Sequence, residues 1–280
     1  MALRTPVING AEHAWNFSDP RFAYDDAVAS CPGRPAPHDA SGEYLIGEME
    51  RYGVDKTVIS HVCYYGRNNA YTIHCVKTWP ERFAGFGLLV GHRLFPPEDA
   101  TNPDRLERLM REDGLAGLRL SPIYDPKRAW LNDPVSYPLW ARAQDLGAVF
   151  NVFLAPGQVG QVADMAARFP GVKVVIDHLA MIDITAPDEA GFGPLVAMHR
   201  LPNVYIRTSL HNPSRHGVPY RDVWPFLERL YDAYGAARLI WANFLEYLIM
   251  KEMIPFFTPE DREWVLGKTA EGVYFGSSRR

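Results

Sequence analysis

Short apolar runs recur along the chain and alternate with segments whose apolar residues follow helical spacing. The run Val172–Ile176, Val-Lys-Val-Val-Ile, is typical of a strand that is buried on both faces of a parallel sheet. The pattern predicts eight strands, at Pro6–Trp15, Lys56–Cys63, Phe83–Val90, Ala116–Ser121, Ala148–Leu154, Val172–His178, Asn203–Ser209 and Arg238–Asn243.

Amphipathic segments separate these strands. In the first, Leu45, Ile46 and Met49 share one side of the predicted helix. Gly147 follows another of these segments and is a plausible helix C-cap. Six helices are predicted, at Glu43–Tyr52, Pro103–Glu112, Tyr137–Leu146, Val159–Phe169, Pro194–His199 and Tyr220–Tyr234.

The alternation of strands and helices predicts the fold. Eight strands with helices between them in 280 residues favour one closed (β/α)₈ TIM barrel that occupies residues 1–280 as a single domain. Long loops, Asn16–Ser41 and Leu210–Pro219, distort it after strands 1 and 7. The alternative is an open doubly wound sheet, but Asn9-Gly10-Ala11-Glu12 does not match the Gly-rich first turn of that fold.

Composition limits the classes of binding partner and the cellular compartment that we expect. A net charge of −4 gives no electrostatic case for nucleic acid or for an acidic membrane, and no window is apolar enough for a membrane span. Met1–Val7 lacks the apolar core of a signal peptide. Cys31, Cys63 and Cys75 have no metal-type spacing, and we expect small buried thiols rather than a disulfide scaffold. These observations predict a cytoplasmic protein.

Polar residues stand where five of the predicted strands end. Parallel barrels gather their strand ends at one mouth, where enzymes of this fold build their sites. Burying so many polar groups without partners would cost several kcal/mol, so a shared water-filled pocket is the better interpretation. The five residues are His13, His61, Arg119, His178 and Arg207.

The two arginines indicate the charge of the substrate. A planar guanidinium inside a barrel needs an anion, and its geometry matches carboxylate or phosphate. We expect Arg119 and Arg207 to bind a small anionic organic substrate. The alternative is a salt bridge to Asp177 or to another acidic group at a strand end.

Four segments resemble the amidohydrolase-related barrel hydrolases of the amidohydrolase 2 type. The family includes 2-pyrone-4,6-dicarboxylate lactonase-like proteins and some decarboxylases. The resemblance therefore implies a barrel hydrolase with a reactive centre at the strand ends. The matching segments are Val7–Trp15, Gly117–Leu120, Val175–Leu179 and Arg238–Trp241.

The resemblance also implies a metal site, and here the sequence departs from the family. The family opens with His-x-His, where this chain has Ala11 before His13. Phe153 stands at the metal-binding position of strand 5, and the aspartate of strand 8 aligns with Asn243 or Phe244. Only His13 and His178 are retained, whereas zinc sites use three protein ligands. We expect a degenerate site without a metal, and no other cofactor.

The chemistry must then come from positioned acids, bases and anion binders. We predict metal-free hydrolysis of a carboxylated lactone or ester, with a carboxy-lyase or a non-catalytic ligand-binding relative as alternatives. No nucleic acid or membrane partner is expected, and homo-oligomer formation stays open. The predicted catalytic residues are His178, His13 and His61, and the predicted substrate-binding residues are Arg119, Arg207, Asn151, Asn243, Tyr64 and Tyr65; Asp177, Glu246 and Ser209 are weaker candidates.

Overall fold

The computed structural model describes residues 5–25, 27–29, 38–90, 96–186 and 191–276. Within them, eight strands form one parallel sheet in chain order. The Gly10 N–H donates to the carbonyl of Trp241 at 3.0 Å, which joins the last strand to the first. The predicted TIM barrel is confirmed. The strands are β1 Ile8–Glu12, β2 Lys56–Ser60, β3 Phe83–Gly87, β4 Gly117–Leu120, β5 Val149–Val152, β6 Lys173–Ile176, β7 Val204–Arg207 and β8 Leu239–Ile240.

Helices follow the strands and cover the outside of the barrel. The predicted helices are present. Tyr137–Leu146 has the predicted bounds and is capped by Gly147 in the left-handed conformation, and the other helices have shifted ends. The pattern missed the helix at Ala70–Thr78, because that helix buries Thr72 as well as apolar residues. The α-helices are α1 Gly42–Tyr52, α2 Ala70–Thr78, α3 Asn102–Arg111, α4 Tyr137–Leu146, α5 Val159–Arg168, α6 Phe192–Ala197, α7 Trp224–Tyr234 and α8 Pro259–Glu263.

Two apolar cores hold these layers together. The larger core lies between the strands and the helices, where it buries side chains such as Leu118, Phe150 and Trp140. The smaller core fills the barrel and includes Phe86, Val149 and Tyr274. Strand side chains alternate between the two cores, so the polar residues that share the inward parity face the barrel interior.

The chain's C-terminal helical segment closes the barrel at the ends where the strands begin. Lys56 and Lys173, the first residues of β2 and β6, bind the Glu271 carboxylate and the Gly272 carbonyl respectively. Tyr274 extends from this segment into the barrel and is fully buried there. The functional site is therefore expected at the opposite end of the barrel, where the strands finish.

One prediction about the cysteines is wrong. Cys63 is disulfide-bonded, so it is not a free buried thiol. Cys75 is a free buried thiol as expected, and burial raises its pKa to about 12. Cys31 lies outside the described residues. The cysteine argument for a reducing compartment therefore no longer holds.

The described segments contain no helix with the length and apolar character that crossing a bilayer requires.

Candidate active site

The ends of β1, β4 and β6 bring three of the predicted residues together. His13 follows β1, Arg119 lies in β4, and His178 follows β6. The positive charge of Arg119 lowers the pKa of both imidazoles, and His178 contributes to the lowered pKa of His13. The prediction of a shared cluster at the mouth therefore agrees with the placement of these three side chains.

His13 has one ring nitrogen bonded and one open. Its Nδ1–H donates to the Ser60 carbonyl at 2.7 Å, because a carbonyl only accepts. That bond fixes the tautomer and leaves a lone pair on Nε2. Burial and the nearby Arg119 lower the pKa of His13 to about 4. His13 is therefore neutral near pH 7 and is a weak base.

His178 is held by an unusual backbone turn. The four residues from His178 to Met181 all have φ between 51° and 55°, a left-handed turn that costs L-residues roughly 1–2 kcal/mol each. The turn directs the imidazole toward Phe153, whose ring meets it edge-on at 5.4 Å between centroids. Burial, Arg207 and Arg119 lower the pKa of His178 to about 3, so it too is neutral.

A histidine and glutamate pair lies beside His178. Glu246 is fully buried just after β8, and His211 follows β7 with about a third of its side chain exposed. The Nδ1 atom of His211 is 2.6 Å from Glu246 Oε1. The backbone N–H groups of Leu210 and His211 also donate to this carboxylate, each at 2.9 Å. Glu246 thus fixes the loop and the imidazole at once.

Sequence patterns offer only partial signals for this pair. Glu246 was a spare carboxylate, and His211 lies in the predicted loop Leu210–Pro219 without having been singled out. The two residues are 35 positions apart, so no local motif joins them. The only available signal was a histidine at the start of a long loop at the mouth.

Asn212 connects the two imidazoles. Its Nδ2 lies 2.9 Å from His211 Nε2 and 3.1 Å from His178 Nδ1. The rings of His178 and His211 stand 6.2 Å apart between centroids. A hydrogen-bonded chain therefore runs from Glu246 through His211 and Asn212 to His178.

Arg119 is a buried cation with few partners. Its Nη1 donates to the His61 carbonyl at 3.1 Å, and its guanidinium lies 5.4 Å from the centre of the Phe153 ring. The buried Nε has no hydrogen-bond partner within the described segments. Among the described residues, no carboxylate forms a salt bridge with it. A buried guanidinium with free donors favours binding of an anion from outside the chain.

Arg207 has a different environment from the one predicted. It is fully buried, with Nη1 paired to Asp177 and Nη2 donating to the Tyr274 hydroxyl at 2.9 Å. That hydroxyl donates in turn to Asn151 Oδ1 at 3.2 Å. Arg207 and Asn151 thus belong to a polar network within the barrel, and the structure favours the salt-bridge alternative for Arg207. The buried Nδ2 of Asn151 keeps a free donor.

His61 points away from the mouth. Its Nε2–H donates to the Gly66 carbonyl and its Nδ1 accepts from the Thr72 hydroxyl of α2, both at 2.9 Å. The ring is fully buried, and burial lowers its pKa to about 3. The inward position at the end of β2 belongs to Ser60 instead, since strand neighbours face opposite sides. Both nitrogens are occupied, so we assign His61 a packing role.

The two tyrosines after β2 support the loop that follows β1. The buried Tyr65 hydroxyl accepts from the Asn16 N–H at 3.0 Å, and burial raises its pKa to about 12. Tyr64 is half-buried and packs edge-on against Phe17 and Tyr24. These contacts explain both residues without a substrate.

Asn243 belongs to the closure between β8 and β1. Its side chain accepts from the Leu245 N–H at 3.0 Å, and its own N–H donates to Asn9 Oδ1 at 2.9 Å. Glu12 Oε1 accepts from Asn9 Nδ2 and from the Phe244 N–H, and burial raises the pKa of Glu12. This arrangement positions the turn that carries Glu246. Ser209, the weak nucleophile candidate, is buried with an unpaired Oγ.

The donor set does not match the metal site that the resemblance implied. Ala11 and Phe153 have no ligand atoms, which leaves His13 and His178 at the family's ligand positions, whereas a zinc site uses three protein ligands. Among the residues that the structure describes, no three His, Cys, Asp or Glu side chains are grouped to hold a metal ion.

A (β/α)₈ barrel with ionisable groups at its carboxyl mouth is typical of a barrel enzyme. The chain belongs to the amidohydrolase family, whose model matches residues 12–276.

Two known proteins are informative relatives. The chain is 25% identical over 211 residues to 4-sulfomuconolactone hydrolase of Rhizobium radiobacter, covering 74% of this chain and 66% of the relative. It is 26% identical over 203 residues to L-fucono-1,5-lactonase of Burkholderia ambifaria, covering 70% and 66%. The matches thus span just under two thirds of both relatives.

The fold also matches a solved structure. A probable 2-pyrone-4,6-dicarboxylic acid hydrolase of Acinetobacter baumannii, with citric acid bound, superposes with a TM-score of 0.77 at 14% identity. The match covers 96% of this chain and 99% of that one. At this identity the likeness establishes the barrel fold.

Proposed function

We propose that this protein hydrolyses a small anionic lactone without a metal, using His211 and Glu246 as the base. One observation carries the proposal: a partly exposed imidazole is held at 2.6 Å by a fully buried carboxylate, in the cluster that contains Arg119. A base oriented by a third group is a recurring arrangement for activating a nucleophile. The lactonase relatives support the choice of reaction.

The reaction begins with a water molecule at His211. Because Nδ1–H donates to Glu246, the basic lone pair of the neutral ring is on Nε2. Water takes the place of the Asn212 amide at Nε2 and gives up a proton as its oxygen bonds to the lactone carbonyl carbon. The resulting imidazolium is stabilised by Glu246.

Ring opening completes the reaction. The tetrahedral intermediate collapses, the bond from the carbonyl carbon to the ring oxygen breaks, and that oxygen takes the proton from His211 Nε2. The product is a hydroxy acid, and the histidine returns to its neutral state. His211 therefore serves first as the base and then as the acid, and the proton taken from water ends on the leaving oxygen.

Two other side chains supply electrostatic stabilisation. Because His178 Nδ1 accepts from Asn212, its proton is on Nε2, and this N–H donates to the carbonyl oxygen as charge develops. Arg119 binds an anionic substituent of the substrate through its free donors. His13 offers only a weakly basic Nε2, so we give it the role of a hydrogen-bond acceptor for substrate or water rather than of the base.

A panel of three lactones tests the proposal. We expect hydrolysis of 4-sulfomuconolactone or 2-pyrone-4,6-dicarboxylate, which are anionic, at a higher kcat/KM than neutral L-fucono-1,5-lactone. The pH drop on ring opening measures the rate, and prior dialysis against a chelator should leave it unchanged. Failure on every lactone would refute the proposed reaction, and activity lost with the chelator and restored by zinc would refute its metal-free form.

The carboxy-lyase alternative uses the same groups and is separated by its product. A decarboxylase acting on an aromatic carboxylate releases carbon dioxide and hydrolyses no ester bond. We expect no carbon dioxide when the protein is incubated with 5-carboxyvanillate. Stoichiometric release, together with failure on the lactones, would replace the hydrolase proposal with the lyase.

A further inference from the structure

Asn212 sits between the two imidazoles at the mouth, and nothing in the sequence motifs singles it out. Its amide nitrogen is within hydrogen-bond distance of His211 Nε2, at 2.9 Å, and of His178 Nδ1, at 3.1 Å. An amide nitrogen carries two protons and no lone pair for accepting, so it can donate to both rings at once.

The buried carboxylate of Glu246 determines which ring nitrogen is protonated, first in His211 and then in His178. Glu246 already accepts from two backbone N–H groups, and its Oε1 lies 2.6 Å from His211 Nδ1. His211 must therefore place its proton on Nδ1 and keep a lone pair on Nε2. Asn212 then donates to that lone pair, and its second N–H requires a lone pair on His178 Nδ1. The proton of neutral His178 is left on Nε2.

No other contact of His178 selects this tautomer. Its remaining contact partners among the described residues are rings, namely Phe153 at 5.4 Å and His211 at 6.2 Å between centroids. Its backbone is in the left-handed turn, which fixes where the ring stands but not which nitrogen is protonated. Among the residues that the structure describes, the amide of Asn212 is the one polar group that distinguishes the two ring nitrogens.

We infer that Asn212 is a positioning residue that transmits the orientation of Glu246 and His211 to His178 and keeps His178 in the Nε2–H tautomer. The inference rests on the proposed function for the use of that N–H, as donor to the lactone carbonyl. The tautomer itself is a property of the resting protein and does not depend on any substrate.

The direct test is nitrogen NMR of ¹⁵N-histidine-labelled protein near pH 7. Protonated and unprotonated ring nitrogens differ strongly in chemical shift, and His-to-Asn variants at 178 and 211 assign the signals. In the wild type we expect a protonated Nε2 on His178 and a protonated Nδ1 on His211. Protonation of His178 at Nδ1 in the wild type would overturn the inference without any Asn212 variant.

Two substitutions sharpen the test. In Asn212→Asp the side chain only accepts, so His178 should move its proton to Nδ1. In Asn212→Leu both bonds are lost, so His178 should populate both tautomers. The matched control is Asn132→Leu, which removes a single 2.8 Å bond to Asp164 and contacts neither imidazole. It should leave the histidine spectrum unchanged.

The kinetic expectation separates the two proposals. On the best lactone, Asn212→Leu should lower kcat about 5- to 20-fold, the scale of one or two lost hydrogen bonds, with little change in KM. A histidine spectrum that is identical in wild type and both Asn212 variants would overturn the inference even if lactones are hydrolysed. If no lactone is hydrolysed, the proposed reaction fails, while the tautomer shift still decides the role of Asn212.

Discussion

The chemistry of single residues here depends on whether each ionisable group has a partner inside the protein. Arg119 and Arg207 have the same side chain and the same inward parity. Within the part of the chain that the structure describes, each has a buried Nε without a hydrogen-bond partner, but Arg207 is paired with Asp177, whereas Arg119 forms no salt bridge. His61 and His211 both have their two ring nitrogens bonded, but His61 is fully buried against α2, whereas His211 is partly exposed at the mouth and is paired with a carboxylate.

The first prediction concerns His211. His211→Asn keeps size and polarity but removes the group that takes a proton from water. We expect kcat on the best lactone to fall about 10²-fold or more, the scale of a lost general base, with circular dichroism unchanged. His216→Asn, in the same loop and exposed, is the control and should keep wild-type kinetics. Normal turnover in His211→Asn would move the search for the base to His13.

The second prediction separates the two arginines. Arg119→Met should lower kcat/KM by the equivalent of about 2–4 kcal/mol, because a charge-assisted contact with the substrate anion is lost. Arg207→Met should instead destabilise the fold by about 3–5 kcal/mol, because it leaves the buried Asp177 without its cation.

Urea unfolding and steady-state kinetics on both variants measure these effects. Arg207→Met combined with Asp177→Asn should recover much of the lost stability, since no buried charge is then left alone. An Arg207→Met protein of wild-type stability and raised KM would restore Arg207 as a substrate-binding residue.

At the scale of elements, the contact between β8 and β1 decides whether the mouth is assembled. Three hydrogen bonds cross this contact. The Gly10 N–H donates to the Trp241 carbonyl, the Asn243 N–H to the Asn9 side chain, and the Phe244 N–H to the Glu12 carboxylate. The turn that follows carries Glu246. The contact therefore couples barrel closure to the position of the proposed base.

The third prediction tests this contact. A Cβ at Gly10 would lie 2.4 Å from Ile240 Cγ2 and 2.5 Å from the Trp241 carbonyl oxygen, so Gly10→Ala must push β8 away from β1. We expect a loss of about 1–3 kcal/mol in the free energy of unfolding and a drop in kcat, because Glu246 moves with the turn.

Gly160→Ala is the matched control for that substitution. Gly160 lies on the exposed side of α5, and a Cβ there meets no atom within 4 Å. It should raise the free energy of unfolding by about 0.5–1 kcal/mol and leave kcat unchanged. A Gly10→Ala protein as stable and active as the wild type would show that the β8–β1 contact tolerates a side chain.

At the scale of the whole molecule, the burial of neutral histidines makes stability depend on pH. The pKa of His61 is lowered to about 3 in the folded protein, against about 6.5 for an unfolded histidine. Between these values the unfolded chain binds more protons, so acid favours unfolding. The stabilisation from the neutral ring is complete above about pH 6.5 and is lost as the pH falls toward the folded value.

The fourth prediction concerns this loss of stability in acid. Urea unfolding should give a free energy that falls as the pH goes from 6.5 to 5. In His61→Gln this slope should be shallower, by at most about 1.4 kcal/mol per pH unit, because one titrating group has been removed. His216→Gln, at an exposed position, should leave the slope unchanged. Equal slopes in wild type and His61→Gln would contradict the lowered pKa.

The hydrophobic pattern by itself determined the fold of this protein. Runs such as Val172–Ile176 suit a strand covered on both faces, and their alternation with amphipathic helices leaves a closed barrel as the solution that buries them all. The pattern also predicted that His13, Arg119 and His178 would meet, because the ends of parallel strands lie at one edge. These are consequences of local periodicity and of chain order.

The tertiary structure decided which polar groups pair with one another. Arg207 finds Asp177 across 30 residues and His211 finds Glu246 across 35, while His61 turns outward to Thr72 on α2. Such pairings depend on ångström-scale distances between segments that are remote in sequence, and periodicity carries no information about them. A buried ionisable group therefore has its role set by its folded neighbours, which is why the proposed base became visible only in the assembled barrel.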